Sequence, residues 1–177
     1  FTLGGRLVRN DVFALLDGEG AECTLNGLYL ADGERLVDNH TTIDHAKPHC
    51  PSHEVYKGIL GGKARAVFNG RIFVHPHAQK TDTKMMTRAL LLSDEAEADN
   101  KPELEIFADD VTCGHGATTG ALDNSLLFYL RARGLSEKEA QALLIQAFVG
   151  EAIESIVNDD LRDLAIDAAR RWLEARA

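Results

Sequence analysis

The sequence predicts a mainly β chain that ends in a helical tail. Three observations lead there. Short apolar stretches recur through residues 1–112, turn-forming pairs separate them, and helical periodicity with capping residues begins only beyond residue 113.

The apolar stretches are Leu7-Val8, Val12–Leu16, Cys23–Leu30, Ala66-Val67-Phe68, Arg71–Val74, Ala89–Leu92 and Leu104–Phe107. Asp17-Gly18, Asn26-Gly27, Asp32-Gly33, Gly61-Gly62 and Asn69-Gly70 read as the turns between them, because these pairs tolerate positive φ. Strands at this spacing suit a sandwich, a barrel or a β-solenoid. The run 23–30 lacks clean alternation, as expected of a strand covered on both faces. No exact repeat occurs.

The tail reads as three helices. Asp123 caps the first, which runs to about Arg133 with Leu126, Leu127 and Leu130 as its apolar face, and Gly134 stops it. Ser136-Glu137-Lys138-Glu139 is a capping box for the second, whose expected buried stripe is Leu143, Leu144, Ala147 and Phe148. The third starts near Asp159-Asp160, with Leu161, Leu164, Ala165, Ala168 and Trp172 on one face. So little helix cannot enclose its own core, so the tail must pack on the β part, on a partner, or on both.

A net charge of -9, from 28 acids and 19 bases without a basic block, argues against nucleic acid and against anionic membrane surfaces. No apolar run approaches the length that spans a bilayer. Cys23, Cys50 and Cys113 form neither a disulfide framework nor a metal knuckle, which fits a reducing, cytoplasmic setting. The start at Phe1-Thr2-Leu3, without Met and already strand-like, reads as a point within a longer protein.

Three constellations could carry chemistry. His40, His45, His49 and His53, with Asp44, Cys50 and Glu54 among them, offer transition-metal ligands. Pro48 and Pro51 make that stretch a loop, and no recognised finger spacing is present, so a polar surface loop is the simpler reading. His75-Pro76-His77 reads as exposed turn histidines. Cys113-Gly114-His115-Gly116 places a thiol and an imidazole two residues apart among glycines. Two ligands cannot close a metal site, so a partner chain would have to supply the rest; on the residues alone a Gly-rich hinge with an incidental Cys and His is the simpler reading. Asp109-Asp110, taken as strand residues, would point to opposite faces, one structural and one solvated. No nucleophile elbow, Walker loop or dinucleotide fingerprint occurs, and the chain is expected not to be an enzyme.

The stretch Lys101-Pro102-Glu103-Leu104-Glu105-Ile106, Asp109-Asp110-Val111 and Cys113-Gly114-His115-Gly116-Ala117-Thr118 continues into Gly120, Leu122-Asp123, Leu127-Phe128-Tyr129-Leu130-Arg131 and Arg133-Gly134. Together with Tyr56-Lys57-Gly58, Phe68-Asn69-Gly70, Gln79-Lys80-Thr81-Asp82 and Leu90-Leu91-Leu92-Ser93, it resembles the C-terminal part of the SufB/SufD family of iron–sulfur cluster assembly scaffolds, nearer its D-type than its B-type member. Thr112 and Gly114 depart from the Lys and Ser common in the family around the cysteine, and Ala89 from a common Asn.

The resemblance implies a right-handed parallel β-helix over 1–115 and a helical docking domain over 116–177. It implies a SufB-type partner (a homodimer in isolation) and a SufC-type ABC ATPase on the tail. A nascent iron–sulfur cluster would be shared transiently across the scaffold interface; the place of a flavin is left open. By position, His115 is the expected metal ligand at that interface, with Cys113 beside it. Phe128, Tyr129, Arg131, Arg133, Phe148 and Glu151 are the expected partner-binding residues of the tail. The competing class is a cupin-like or β-helix metalloenzyme built on His40, His45, His49 and His53.

Overall fold

The computed structural model describes residues 1–175. It has eight strands and then three helices: β1 Leu7–Leu16, β2 Cys23–Ala31, β3 Leu36–His45, β4 Pro51–Leu60, β5 Arg65–Val74, β6 Asp82–Leu91, β7 Glu97–Ile106, β8 Thr112–Gly120, α1 Asn124–Ala132, α2 Glu137–Ile153 and α3 Asp159–Glu174. The strands form two sheets, ordered β1-β3-β5-β7 and β2-β4-β6-β8, and every pairing is parallel. Consecutive strands thus alternate between the sheets, which makes a flattened β-solenoid of about 4 turns. Of the three architectures open to short strands, the solenoid is the one adopted.

The turns stack with small changes in step. Leu7 pairs with Leu36 and Leu36 with Arg65, a step of 29 residues, whereas Arg65 pairs with Glu97, a step of 32. The variation is taken up in the corners, not in the strands. At one corner Gly62 (φ +59) lies against Gly33 (φ +67), and a Cβ on Gly62 would meet the Gly33 nitrogen at 2.8 Å. Both positions need the left-handed conformation that glycine adopts freely.

Two of the expected turn pairs prove to be mid-strand. Asn26-Gly27 lies in β2 and Asn69-Gly70 in β5. These glycines make room instead. An added Cβ on Gly27 would come within 2.2 Å of the Tyr56 ring, and one on Gly58 within 1.9 Å of the Tyr29 ring. Gly27 pairs with Tyr56, and Tyr29 with Gly58. Each tyrosine therefore lies over the glycine of the neighbouring turn, inside the solenoid.

The stretch from His40 to Glu54, expected to be a loop, is largely the end of β3 and the start of β4. The inward residues of β3 are Val37, Asn39, Thr41, Ile43 and His45, alternately buried along the strand. Three of those five are polar, so the strand carries no apolar signature. The polar atoms bond between turns: Asn10 Nδ2 donates to Asn39 Oδ1 at 2.8 Å, and His45 Nε2 lies 3.0 Å from Ser52 Oγ, itself 2.6 Å from Thr83 Oγ1.

There are two apolar cores. The first fills the solenoid and includes Tyr29, Val37, Ile43, Phe68, Ile72 and Met85. The second lies outside the β2-β4-β6 face, where Leu28, Leu30, Ile59 and Leu90 meet Ile145, Val149, Ile153, Ala165 and Ala169. The tail therefore packs on the β part, and β2 is buried on both faces from Leu28 to Ala31, as its unalternating sequence suggests.

Two caps match the sequence: Asp123 accepts from the Ser125 and Leu126 amides, and Ser136 and Glu139 form the capping box. The third helix starts at Asp159 as expected, capped by Asn158, which the sequence did not single out. The buried faces differ. In α2 the buried residues are Ala140, Ile145, Val149 and Ile153, while Leu143 is exposed. In α3 they are Ala165 and Ala169, while Leu161 and Leu164 face solvent. The boundary set between residues 115 and 116 falls inside β8, which runs on to Gly120.

Candidate cluster-assembly edge and its surroundings

Cys113 and His115 stand on β8, the outer strand of the last turn. They are opposite Thr83 and Met85 of β6. Residues two apart on a strand share a face, and Cys113 packs against the inner core while His115 is exposed. They are strand residues, not a hinge. Among the described residues, β7 pairs only with β5 and β8 only with β6, so both leave one edge bare. A bare edge presents a row of unpaired N–H and C=O groups, ready to take another strand. Burial and, secondarily, the Asp82 charge push the Cys113 thiol above its ordinary range. Cys113 is therefore a protonated thiol at neutral pH, and a metal would have to displace that proton to use it.

The histidine-rich stretch is dispersed by its strands. His40, on β3, bonds Asp38 at 2.8 Å. His45 is fully buried in the interior, and its charge is disfavoured by burial. His49 sits in the corner with φ 59, and His53 is exposed on β4. No three His, Cys, Asp or Glu side chains among the described residues come together as a metal site. His75 and His77 are turn residues as expected, the first 3.0 Å from Asp44, the second 2.8 Å from the Ala46 carbonyl. Asp109 and Asp110 lie in the corner before β8, not on a strand. Both are exposed; Asp110 pairs with Lys80, and its backbone amide donates to Gln79 Oε1 at 2.8 Å.

The expected partner-binding residues divide into two groups. Phe128 and Tyr129 project from α1 at 74% and 54% exposure, and α1 buries no residue. Arg133 stacks on Tyr129, 5.1 Å from the ring centroid, and Arg131 reaches Glu137 at 3.5 Å. Phe148 and Glu151 instead turn toward the sheet. The buried Lys57 ammonium lies 4.7 Å from the Phe148 ring, donates to the Phe148 carbonyl at 3.2 Å and pairs with Glu151. Arg88 approaches the same carboxylate at 3.5 Å. Lys57 is thus the polar pin between α2 and β4. A lysine inside the run Val55-Tyr56-Lys57-Gly58-Ile59-Leu60 is the sequence signal that could have found it.

Glu54, one of the candidate ligands of the histidine-rich stretch, is instead an interior residue. It points into the solenoid between Leu25 and Met85 in the same register, and is 1% exposed. Neither carboxyl oxygen has a hydrogen-bond partner among the described residues. Burial pushes its pKa up to about 7.

The chain is thus a parallel β-solenoid with a Cys-Gly-His-Gly strand at its open edge and a helical tail docked on one face. The family described as SUF system FeS cluster assembly, SufBD core domain, matches residues 1–148. The chain belongs to the SufB/SufD family and is SufD-like.

It is 42% identical to the iron-sulfur cluster assembly protein SufD of Escherichia coli K12, over 92% of this chain and 38% of that protein. It is 39% identical to an iron-sulfur cluster assembly SufBD family protein of Mycobacterium leprae, over 97% of this chain and 46% of the relative. A third relative, the Arabidopsis thaliana protein named ABCI7, chloroplastic, is 36% identical over 92% of this chain and 34% of its own length. The chain spans less than half the length of these relatives.

Proposed function

We propose that this chain is a non-enzymatic scaffold part of the SUF iron–sulfur assembly machinery, pairing with a SufB-type scaffold and docking a SufC-type ATPase. The observation that carries this reading is the last turn. Its two strands have a free edge, and Cys113 and His115 stand on it without further ligands. A partner strand would satisfy the edge and bring the missing ligands to a nascent cluster, which is cargo and not a resident cofactor. A reducing cytoplasm suits three free cysteines, and no helix among the described residues is long and apolar enough to cross a membrane.

The His115 role is tested in the reconstituted complex with a SufB-type partner. His115→Ala is expected to keep the heterodimer, seen by light scattering, while cluster assembly, followed by visible absorbance, is lost. Normal assembly by that variant would remove His115 from the site.

ATPase docking is assigned to α1 and the outer stripe of α3, where Phe128, Tyr129, Leu161 and Leu164 are exposed. Phe148 and Glu151 lie apart from that surface, at the contact of α2 with Lys57. Phe128→Glu is expected to weaken the complex with a SufC-type ATPase by about 2 kcal/mol or more, as for an aromatic anchor, with an unchanged far-UV spectrum. A substitution is the right probe, because deleting the tail would bare Leu28, Leu30, Ile59 and Leu90. Undiminished binding by Phe128→Glu would move the docking surface elsewhere.

A further inference from the structure

On the outer face of β4, β6 and β8, beside the C-terminal part of α2, is an open recess of about 580 Å³. Its shape follows from register. The outward row across the three strands is His53, Lys84, Gly114; the next is Val55, Met86, Gly116; the next is Lys57, Arg88, Thr118. Two glycines leave the β8 part of the first two rows without side chains. The floor is Val55, Met86 and β8 backbone, and α2 walls the far side with Glu151.

The rim is cationic in a chain whose net charge is -9. Lys84 has no ion-pair partner among the described residues. Of the two acids that line it, Glu151 is shared by Lys57 and Arg88 and Glu54 turns into the solenoid, so Lys84 is left as the unpaired charge beside Arg88. Lys84 and Arg88 point the same way from β6, about 13 Å apart at the backbone, with Met86 between them. Long basic side chains of that spacing can reach one anion held above the methionine. Lys57, 2% exposed and pinned by Glu151 and the Phe148 carbonyl, fixes the helix wall in place.

We infer that this recess binds a small phosphate monoester with a flat apolar body. The phosphate would lie between Lys84 and Arg88, and the body on Val55 and Met86. The volume suits a ligand of that size. A guanidinium and an ammonium together match a phosphate dianion better than a single carboxylate charge. The inference does not depend on the cluster role of His115 or on the docking role of α1.

The test is titration of the purified chain with 1-naphthyl phosphate, followed by calorimetry. Inorganic phosphate, 1-naphthol and 1-naphthoate are the comparison probes. Saturable 1:1 binding is expected for 1-naphthyl phosphate, at least about tenfold tighter than for any of the three, and weakening with salt. Lys84→Gln should lower affinity about tenfold or more. Gly114→Val should abolish binding by filling the recess without changing charge. An added Cβ at Gly114 meets nothing within 4 Å, so this variant is expected to keep its thermal midpoint. Equal binding of 1-naphthoate would overturn the phosphate assignment. Equal binding of inorganic phosphate would overturn the role of the apolar floor. No binding, or binding untouched by both variants, would overturn the site.

Discussion

Replacing Glu54 by methionine stabilises the protein, and the gain grows with pH. Glu54 is buried without a hydrogen-bond partner, and its pKa is raised from the model-compound value of 4.5 to about 7. The folded state therefore holds the Glu54 proton more tightly than the unfolded state. Below about pH 4.5 both states are protonated, and the carboxyl carries no ionisation penalty. As pH rises through 4.5 the unfolded chain ionises first, and folding loses about 1.4 kcal/mol per pH unit until the folded carboxyl ionises near pH 7. The loss then levels off at about 3 kcal/mol. Glu54→Met removes that loss and continues the apolar column from Leu25 to Met85. Urea denaturation of both proteins at pH 5 and pH 8 is the measurement. The difference between them should widen by about 2–3 kcal/mol from the lower to the higher pH. A gap independent of pH would mean that Glu54 has a cation or hydrogen-bond partner in solution.

Gly58→Ala acts in the opposite direction. Its new Cβ would stand 1.9 Å from Tyr29 Cε2 and 2.1 Å from Cζ. Tyr29 is 1% exposed, so its ring has no open side to move toward. Overpacking of this kind costs about 3 kcal/mol, and the neighbouring Gly27–Tyr56 pair transmits the strain to the next turn. Gly114→Ala is the control: it too is a strand glycine, but its Cβ enters open space, and its effect should stay within about 0.5 kcal/mol. Equal denaturation midpoints for the two variants would show that the ring is not held against Gly58.

The helices were the most legible part of the sequence because their ends are marked by local chemistry. Asp123, Ser136 with Glu139, and the Asn158 region each satisfy backbone amides within three residues. Their buried faces were less so. In α2 apolar residues lie almost all round, so periodicity does not choose between the Leu143 and Ile145 faces; the outer sheet does. The strands were legible where their inward row is apolar, as in β5 with Ala66, Phe68, Ile72 and Val74, and illegible in β3, where Asn39, Thr41 and His45 take inward places. Asn26-Gly27 and Asn69-Gly70 were taken for turns because a glycine that opens space for a tyrosine or methionine looks the same, in sequence, as one that turns the chain. Cys113 and His115 could be singled out because they are adjacent in sequence and match a family pattern. The Lys57–Glu151 pin and the recess over Met86 could not, because their parts meet only through the step from turn to turn and across to α2.

That pin has a mechanical consequence. Strands β2, β4 and β6 belong to both cores, one face each, so α2 is bonded to the solenoid and not hinged on it. Helix α1 differs: it buries no residue and packs on α2. It is a short lever on a stiff block. Only three residues, 121–123, join β8 to it, so the joint has almost no slack. A load applied at Phe128 therefore has two paths, along the backbone into the strand that carries His115, and through α2 and Lys57 into β4. The compliance of those paths would set how much of a pull at the tail arrives as displacement at the open edge.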